Sequence, residues 1–312
     1  MISVVIATYN GEKYIEEQLV SIIKQSLKPD ELVLVDDSSA DKTLIIAENI
    51  LQDSDIEYVI IKHKYNEGVC NTFYDGIEKA NGDVIFLSDQ DDYWCTDKVE
   101  TMMRKIHEGY EVVMSNAKVV NEDLSNEKGD LWGSLDFSPV ENRRILLSEM
   151  LKRNYFTGMN MCFKKSVLKP YKRPRNMLHD EFLGWIALSK GDVGFVCKEL
   201  AFYRQHENNV VGVGKRNKIC GLRKTKEIIK GNIRKEIKKL LYIKKIFEQT
   251  NEEYLEIKDA MRFYCWRYAC VGQRNICAFY AIIAAVYNGR YRKYTSKNEK
   301  AILKDFFCSI LK

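Results

Sequence analysis

Val84-Ile85-Phe86-Leu87-Ser88-Asp89-Gln90-Asp91-Asp92-Tyr93-Trp94 runs a short apolar stretch straight into three carboxylates crowded within four positions. An apolar run bounded by Gly82 on one side and an acidic cluster on the other reads as an inner strand of a parallel sheet. The C-terminal end of such a strand is where open α/β sheets bind ligands. Carboxylates this close repel one another unless something positive joins them. Hard oxygen ligands at that edge suit magnesium or manganese bridged to phosphates. A solvated acidic turn is the alternative, because Asp-x-Asp alone is a weak motif.

Upstream of this segment, strand and helix patterns alternate. Ser3-Val4-Val5-Ile6-Ala7, Glu31-Leu32-Val33-Leu34-Val35 and Glu57-Tyr58-Val59-Ile60-Ile61 read as strands, and Tyr14 to Lys24, Thr43 to Leu51 and Val69 to Ala80 as helices. The order predicts a doubly wound α/β half. Right-handed crossovers bring the loops after Ile6, Val35 and Leu87 to one edge of the sheet. Those loops, Ala7 to Gly11, Val35 to Asp41 and Ser88 to Asp92, offer small and polar groups where a nucleotide would lie. None has the glycine spacing of a dinucleotide fingerprint or the Gly-Lys-Ser/Thr of a phosphate loop. A nucleotide held by carboxylates and a metal is the chemistry that remains.

The remaining sequence bounds the reading. At 312 residues and 46% hydrophobic content the chain suits one large domain with an appendage. The segment from Val112 to about Val211 mixes short strands with loops and a helix near Asp180 to Leu188. After Gly212-Val213-Gly214 the pattern turns to long, charged, helix-forming stretches. We expect regions 1–212 and 213–312, the first divided near residue 111. Nine cysteines without a CxxC pair read as reduced thiols, and the apolar start passes at once into Thr8-Tyr9-Asn10, so no export is expected. The net charge of +5 is concentrated between Lys215 and Lys245, where thirteen basic residues face Glu227 and Glu236. That block suits an anionic membrane surface or a solvated helix face; no RNA-binding signature accompanies it, so no nucleic acid is expected. The apolar stretch from Ile276 to Tyr287 falls short of a membrane span and reads as a buried or interfacial helix.

Four motifs together carry a family resemblance. Val4-Val5-Ile6-Ala7-Thr8-Tyr9-Asn10, the run Val33 to Thr43 containing Asp36-Asp37-Ser38-Ser39, Asn66-Glu67-Gly68, and Phe86 to Trp94 resemble the nucleotide-sugar half of family 2 glycosyltransferases. The Ser-Asp-Gln-Asp-Asp-Tyr-Trp form is similar to the bacterial rhamnosyltransferase-like branch. The resemblance implies a GT-A fold, a Rossmann-like, doubly wound mixed sheet, with residues 1–111 as the nucleotide-sugar half and 112–212 as the acceptor half. It further implies a metal-dependent hexosyl or rhamnosyl transfer that inverts the anomeric centre and builds bacterial surface glycans. The C-terminal helical region from 213 lies outside it.

Roles follow by position. Thr8 and Asp37 match donor-base contacts, Asp89 the ribose contact, and Asp91 the carboxylate that ligates manganese or magnesium under the diphosphate. Tyr9, Asp36 and Asp92 are neighbours without a fixed role. Inverting transfer needs a carboxylate to take the acceptor hydroxyl's proton. Leu178-His179-Asp180-Glu181 opens a helix with acids at its N-terminus, and it resembles the family's base motif with His179 in place of the first acid. Asp180 is therefore the expected base, with Glu181 the alternative; helix capping is the other reading of both. Arg204-Gln205-His206 resembles the segment in which the histidine nears the metal, so His206 is a second expected ligand and Arg204 a phosphate fork. Gly158 and Asn160 are candidate sugar or acceptor contacts, and Trp185 a candidate sugar platform or a core aromatic. His63 and His107 have no assigned role.

The expected partners are a nucleotide-sugar donor, a glycan or lipid-linked glycan acceptor, and an anionic membrane surface at the inner face of a cytoplasmic membrane. Tyr264-Cys265-Trp266-Arg267-Tyr268 is expected at the headgroup level. A nucleotidyltransferase of similar α/β form is one alternative, although Thr8-Tyr9-Asn10-Gly11-Glu12-Lys13 lacks the glycine-rich, basic start that holds a triphosphate. A non-catalytic glycan-binding relative is another.

Overall fold

The computed structural model describes residues 1–125, 127–140, 142–174, 177–191, 193–206, 222–247, 252–271 and 276–310. The chain orders itself as β1 (Ile2–Thr8), α1 (Ile15–Ile23), β2 (Glu31–Asp36), α2 (Thr43–Gln52), β3 (Glu57–Lys62), α3 (Val69–Lys79), β4 (Val84–Asp89) and β5 (Tyr93–Trp94). Then come α4 (Lys98–His107), β6 (Val112–Val120), β7 (Glu127–Asp130), α5 (Leu131–Ser134), α6 (Arg143–Met150), β8 (Met161–Lys164), α7 (His179–Lys190) and β9 (Gly194–Arg204). Helices α8 (Leu222–Ile246), α9 (Glu252–Cys270), α10 (Ile276–Tyr287), α11 (Arg290–Tyr294) and α12 (Asn298–Ile310) end it.

Two compact units are distinguishable. The first holds everything to Phe137 and beyond to residue 140, then Tyr155–Arg173, then α7 and β9. The second holds Asn142–Asn154 with α6, a short piece ending at Met177, and helices α8–α12.

In the first unit one mixed sheet runs in the order β3-β2-β1-β4-β8-β6-β9-β5, with β7 added on β6. Strands β1 to β4 are mutually parallel where they pair, and β8 lies antiparallel between β4 and β6. Every residue of β1 and β2 is buried, as the unbroken apolar runs predict for strands covered on both faces. Fully burying one such Val, Leu or Ile side chain stabilises by about 1.5–3 kcal/mol. The register sets Thr8 beside Asp36 and Ala7 beside Asp89, so three loops meet at one edge as expected. The expected GT-A sheet and helical extension are both present. Where the sequence pattern from Val112 to about Val211 shows only short strands among loops, the structure has a nine-residue β6 and an eleven-residue β9, with the four-residue β8 between β4 and β6.

The second unit corrects the expectation for two members of the Tyr264 to Tyr268 stretch, Tyr264 and Arg267. Tyr264 is buried and its hydroxyl donates to the Tyr294 carbonyl at 2.7 Å. The Arg267 guanidinium is buried too, paired with Asp305 at 2.7 and 3.1 Å, and Tyr291 donates to the same carboxylate at 2.6 Å. Tyr264 and Arg267 thus belong to the polar heart of the helical unit, the guanidinium lying against the Phe263 and Tyr291 rings, whereas Cys265 is exposed and Trp266 and Tyr268 are half-buried. Lys215, Arg216 and Lys218 of the basic block lie outside the described residues.

Candidate active site

The loops after β1 and β2 are laced together by short polar side chains. Asp36 is wholly buried and accepts from Thr8 Oγ1 at 3.0 Å, Ser39 N at 2.8 Å and Ser39 Oγ at 2.5 Å. Asn10 and Ser39 close the gap from the other side, with Asn10 N donating to Ser39 Oγ at 2.9 Å and Asn10 Oδ1 accepting from Ala40 N at 2.9 Å. Asn10 and Ser38 both take positive φ, 48° and 70°, which Asn and small polar residues tolerate in such turns. The third loop joins through Gln90. Its Oε1 accepts from Tyr9 N at 2.8 Å and its Nε2 donates to Tyr9 O at 3.0 Å, so one side-chain amide mimics a strand partner. Gly11 makes room for it, since a Cβ there would sit 2.2 Å from Gln90 Oε1.

Asp37 organises the next rank. Its Oδ1 accepts from Glu67 N at 2.7 Å and lies 2.9 Å from His63 Nδ1, while Oδ2 accepts from Gly68 N at 2.8 Å. Burial alone would raise this carboxyl, but the His63 and backbone hydrogen bonds hold it below its ordinary range. Burial likewise works against a charged His63, and the hydrogen bond to Asp37 with the charges of Glu67, Asp37 and Asp75 overcomes it and raises the imidazole. His63, Glu67 and Asp75 bring potential ligand atoms within 4.8 Å of one another. His63 Nε2 lies 3.2 Å from Asp75, and Arg173 donates to the same carboxylate at 2.7 Å, so Asp75 is already engaged by side chains of this protein.

Negative charge is least compensated after β4. Asp89 is half-buried and pushed up to about 7, first by burial and then by the charges of Asp91 and Asp180. Asp92 is wholly buried and raised well above the carboxylate range by desolvation, then by Asp91 and Asp89, with Lys98 opposing. Lys98 is itself fully buried and pulled down to about 8; its ammonium donates to Met159 O at 2.8 Å and lies 4.7 Å from the Trp94 ring centre. Asp91 Oδ2 sits 2.7 Å from His206 Nε2, and the imidazole stacks on Tyr14 with 4.9 Å between centroids. Asp180 opens α7, its Oδ1 accepting from Glu181 N at 2.5 Å. Carboxylates from β4 and α7 thus share one space.

This donor set fits a hard divalent cation. It is oxygen-rich with a single imidazole, and Asp91 and His206 stand near the roughly 3 Å separation of adjacent ligands on an octahedral ion.

Residues 3–171, more than half of the chain, match the family model described as glycosyl transferase family 2. The chain belongs to glycosyltransferase family 2. It is 25% identical over 213 residues to the GalNAc(5)-diNAcBac-PP-undecaprenol beta-1,3-glucosyltransferase of Campylobacter jejuni, covering 68% of this chain and 67% of that protein. To the dTDP-rhamnosyl transferase RfbG of Shigella flexneri it is 30% identical over 228 residues, covering 66% and 73% respectively. The fold is similar to that of S. aureus TarS 1–349 in complex with UDP-GlcNAc, with a TM-score of 0.57 and 18% identity over 97% of this chain and 79% of that one. Family membership removes the nucleotidyltransferase alternative.

Within this family 2 domain the structure gathers Asp89, Asp91, Asp180 and His206, the residues expected to carry charge and metal. Tyr9 is exposed at the loop tip, whereas Thr8 is buried and acts on Asp36. Two expected contacts, Asn160 and Arg204, are corrected by burial or prior engagement, and of the two readings given for Trp185 the structure bears out the core one. Trp185 is wholly enclosed and is a core aromatic. Asn160 is also wholly enclosed, with Oδ1 3.5 Å from Lys98 Nζ. The Arg204 guanidinium, expected on phosphate, is buried against Tyr14 and donates to Asp91 O at 2.9 Å, to Glu122 O and to Glu17. It therefore positions the Asp91 backbone. Gly158 faces His179, where a Cβ would meet Nε2 at 2.6 Å, and Glu181 is buried, which leaves Asp180 the more accessible acid. Gln90, Lys98, His63 and Glu122, which accepts from Tyr14 Oη at 2.5 Å, were not assigned from sequence. Only Gln90 lay inside a motif already marked.

Proposed function

We propose that this glycosyltransferase moves a hexosyl or rhamnosyl group from a nucleotide-diphosphate donor to a hydroxyl of a bacterial surface glycan, by a single inverting displacement. The observation that carries the reading is the under-neutralised carboxylate group at Asp89, Asp91 and Asp92, facing Asp180 across the sheet edge. Asp91 and His206 would hold manganese or magnesium; such an ion neutralises the departing diphosphate. In this reading Asp89 contacts the donor ribose, and the laced loops at Thr8–Asn10 and Asp36–Asp41 take the base. Asp180 takes the acceptor hydroxyl's proton as the new bond to the anomeric carbon forms and the bond to the diphosphate oxygen breaks. Arg204, Tyr14 and Gln90 position these groups. An undecaprenol-diphosphate-linked acceptor is proposed by analogy with the Campylobacter relative, whose name states one.

A thermal-shift screen of nucleotide sugars with and without manganese tests donor use. At 100 times its dissociation constant the correct donor stabilises the domain by about 2.7 kcal/mol, with manganese required for the full shift. No shift with any nucleotide sugar, or a full shift in the absence of a divalent cation, contradicts the reading.

A further inference from the structure

Helix α10 is apolar all round, yet only one side of it is covered. No charged residue occurs between Ile276 and Tyr287. Ala278, Ile282 and Ala285 are buried within the helical unit. The opposite arc presents Cys277, Tyr280, Ile283, Ala284, Val286 and Tyr287 outward, with Tyr280 62%, Ile283 42% and Tyr287 91% exposed. A helix without a polar face belongs inside a core or against lipid, and a contiguous exposed apolar face marks a contact surface. Leu303 of α12, the helix that packs beside α10, is a further 55% exposed.

We infer that this face of α10 seats the helical unit on an anionic lipid surface, lying in the plane of the interface. Length excludes a span: twelve residues make about 18 Å of helix against a hydrocarbon core of about 30 Å. Among the described residues no helix is long and apolar enough to cross a membrane. The surrounding charge names the occupant. Arg292, Lys297, Lys300 and Lys304 are exposed on α11, α12 and the turn between them. The nearest acids in sequence are exposed Glu299 and buried Asp305, and Asp305 is spent on buried Arg267. A rim in which four exposed basic residues outnumber the single exposed acid attracts anionic headgroups. The same rim repels a second copy of itself across a two-fold axis, where like charges would meet. Tyr280 and Tyr287 add rings with an apolar body and a polar tip, which suit the headgroup boundary.

Sedimentation of the full chain with vesicles tests this without donor or metal, so its outcome is independent of the sugar-transfer reading. The protein pellets with equimolar phosphatidylcholine and phosphatidylglycerol and stays in solution with phosphatidylcholine alone. The double variant Ile283→Ser/Tyr287→Ser binds about tenfold or more weakly, and Lys300→Gln and Lys304→Gln each lower affinity about fivefold. Tyr287→Trp, which keeps the face apolar, gives an emission blue shift when anionic vesicles are added. Equal binding to both vesicle types, binding unchanged in the double variant, or an unshifted tryptophan overturns the inference. So does a dimer by light scattering that the double variant converts to monomer, because a second copy then covers the face.

Discussion

Asp180→Asn is expected to lower the transfer rate by about 10²–10⁴-fold, the contribution of a positioned general base. Asparagine keeps the shape and the acceptor atom that Asp180 Oδ1 offers to Glu181 N, so the start of α7 survives. The change removes only the ability to accept a proton. It also removes one of the charges that push Asp89 upward, so donor affinity is retained or improves. Steady-state kinetics with donor titration separates the two: kcat collapses while the donor KM holds. If Asp180→Asn keeps its rate and Glu181→Gln loses it, the base is Glu181 despite its burial.

Asp91→Asn is expected to cost at least about 10²-fold in transfer and to abolish stimulation by manganese, since the amide retains the contact to His206 but not the charge. The same substitution is expected to leave the metal-free protein as stable or more stable by about 1 kcal/mol. Asp91 raises both Asp89 and Asp92, and that repulsion is relieved when the charge goes. Loss of function with unimpaired stability, read by kinetics and thermal denaturation together, separates a ligand-holding carboxylate from a structural one. A variant that loses both points instead to a structural role for the Asp91–His206 pair.

What could be read from sequence was local and periodic. The buried strands β1, β2 and β4 announce themselves as continuous apolar runs, and their parallel order follows from the helices between them. The acid cluster after β4 was legible because its members are adjacent in the chain. Strand β8 was not, since four residues carry too little pattern and its place between β4 and β6 depends on antiparallel pairing with both.

Side-chain engagement was the less legible part of the site. Arg204 has the right chemistry for phosphate, but Glu17, Glu122 and Asp91 reach it from elements far apart in sequence. His63 carried no local motif because its partners, Asp37 and Asp75, lie on other elements. Helical period alone cannot say which face is covered, which is why Tyr264 is enclosed while Tyr280 and Tyr287 face outward.

Release of nucleoside diphosphate from a nucleotide sugar, measured with acceptor present and with manganese added or chelated, tests the central claim most directly. The account predicts release that requires manganese in the native protein and is lost in Asp91→Asn. Full release in the presence of chelator, or undiminished release from Asp91→Asn, would contradict it.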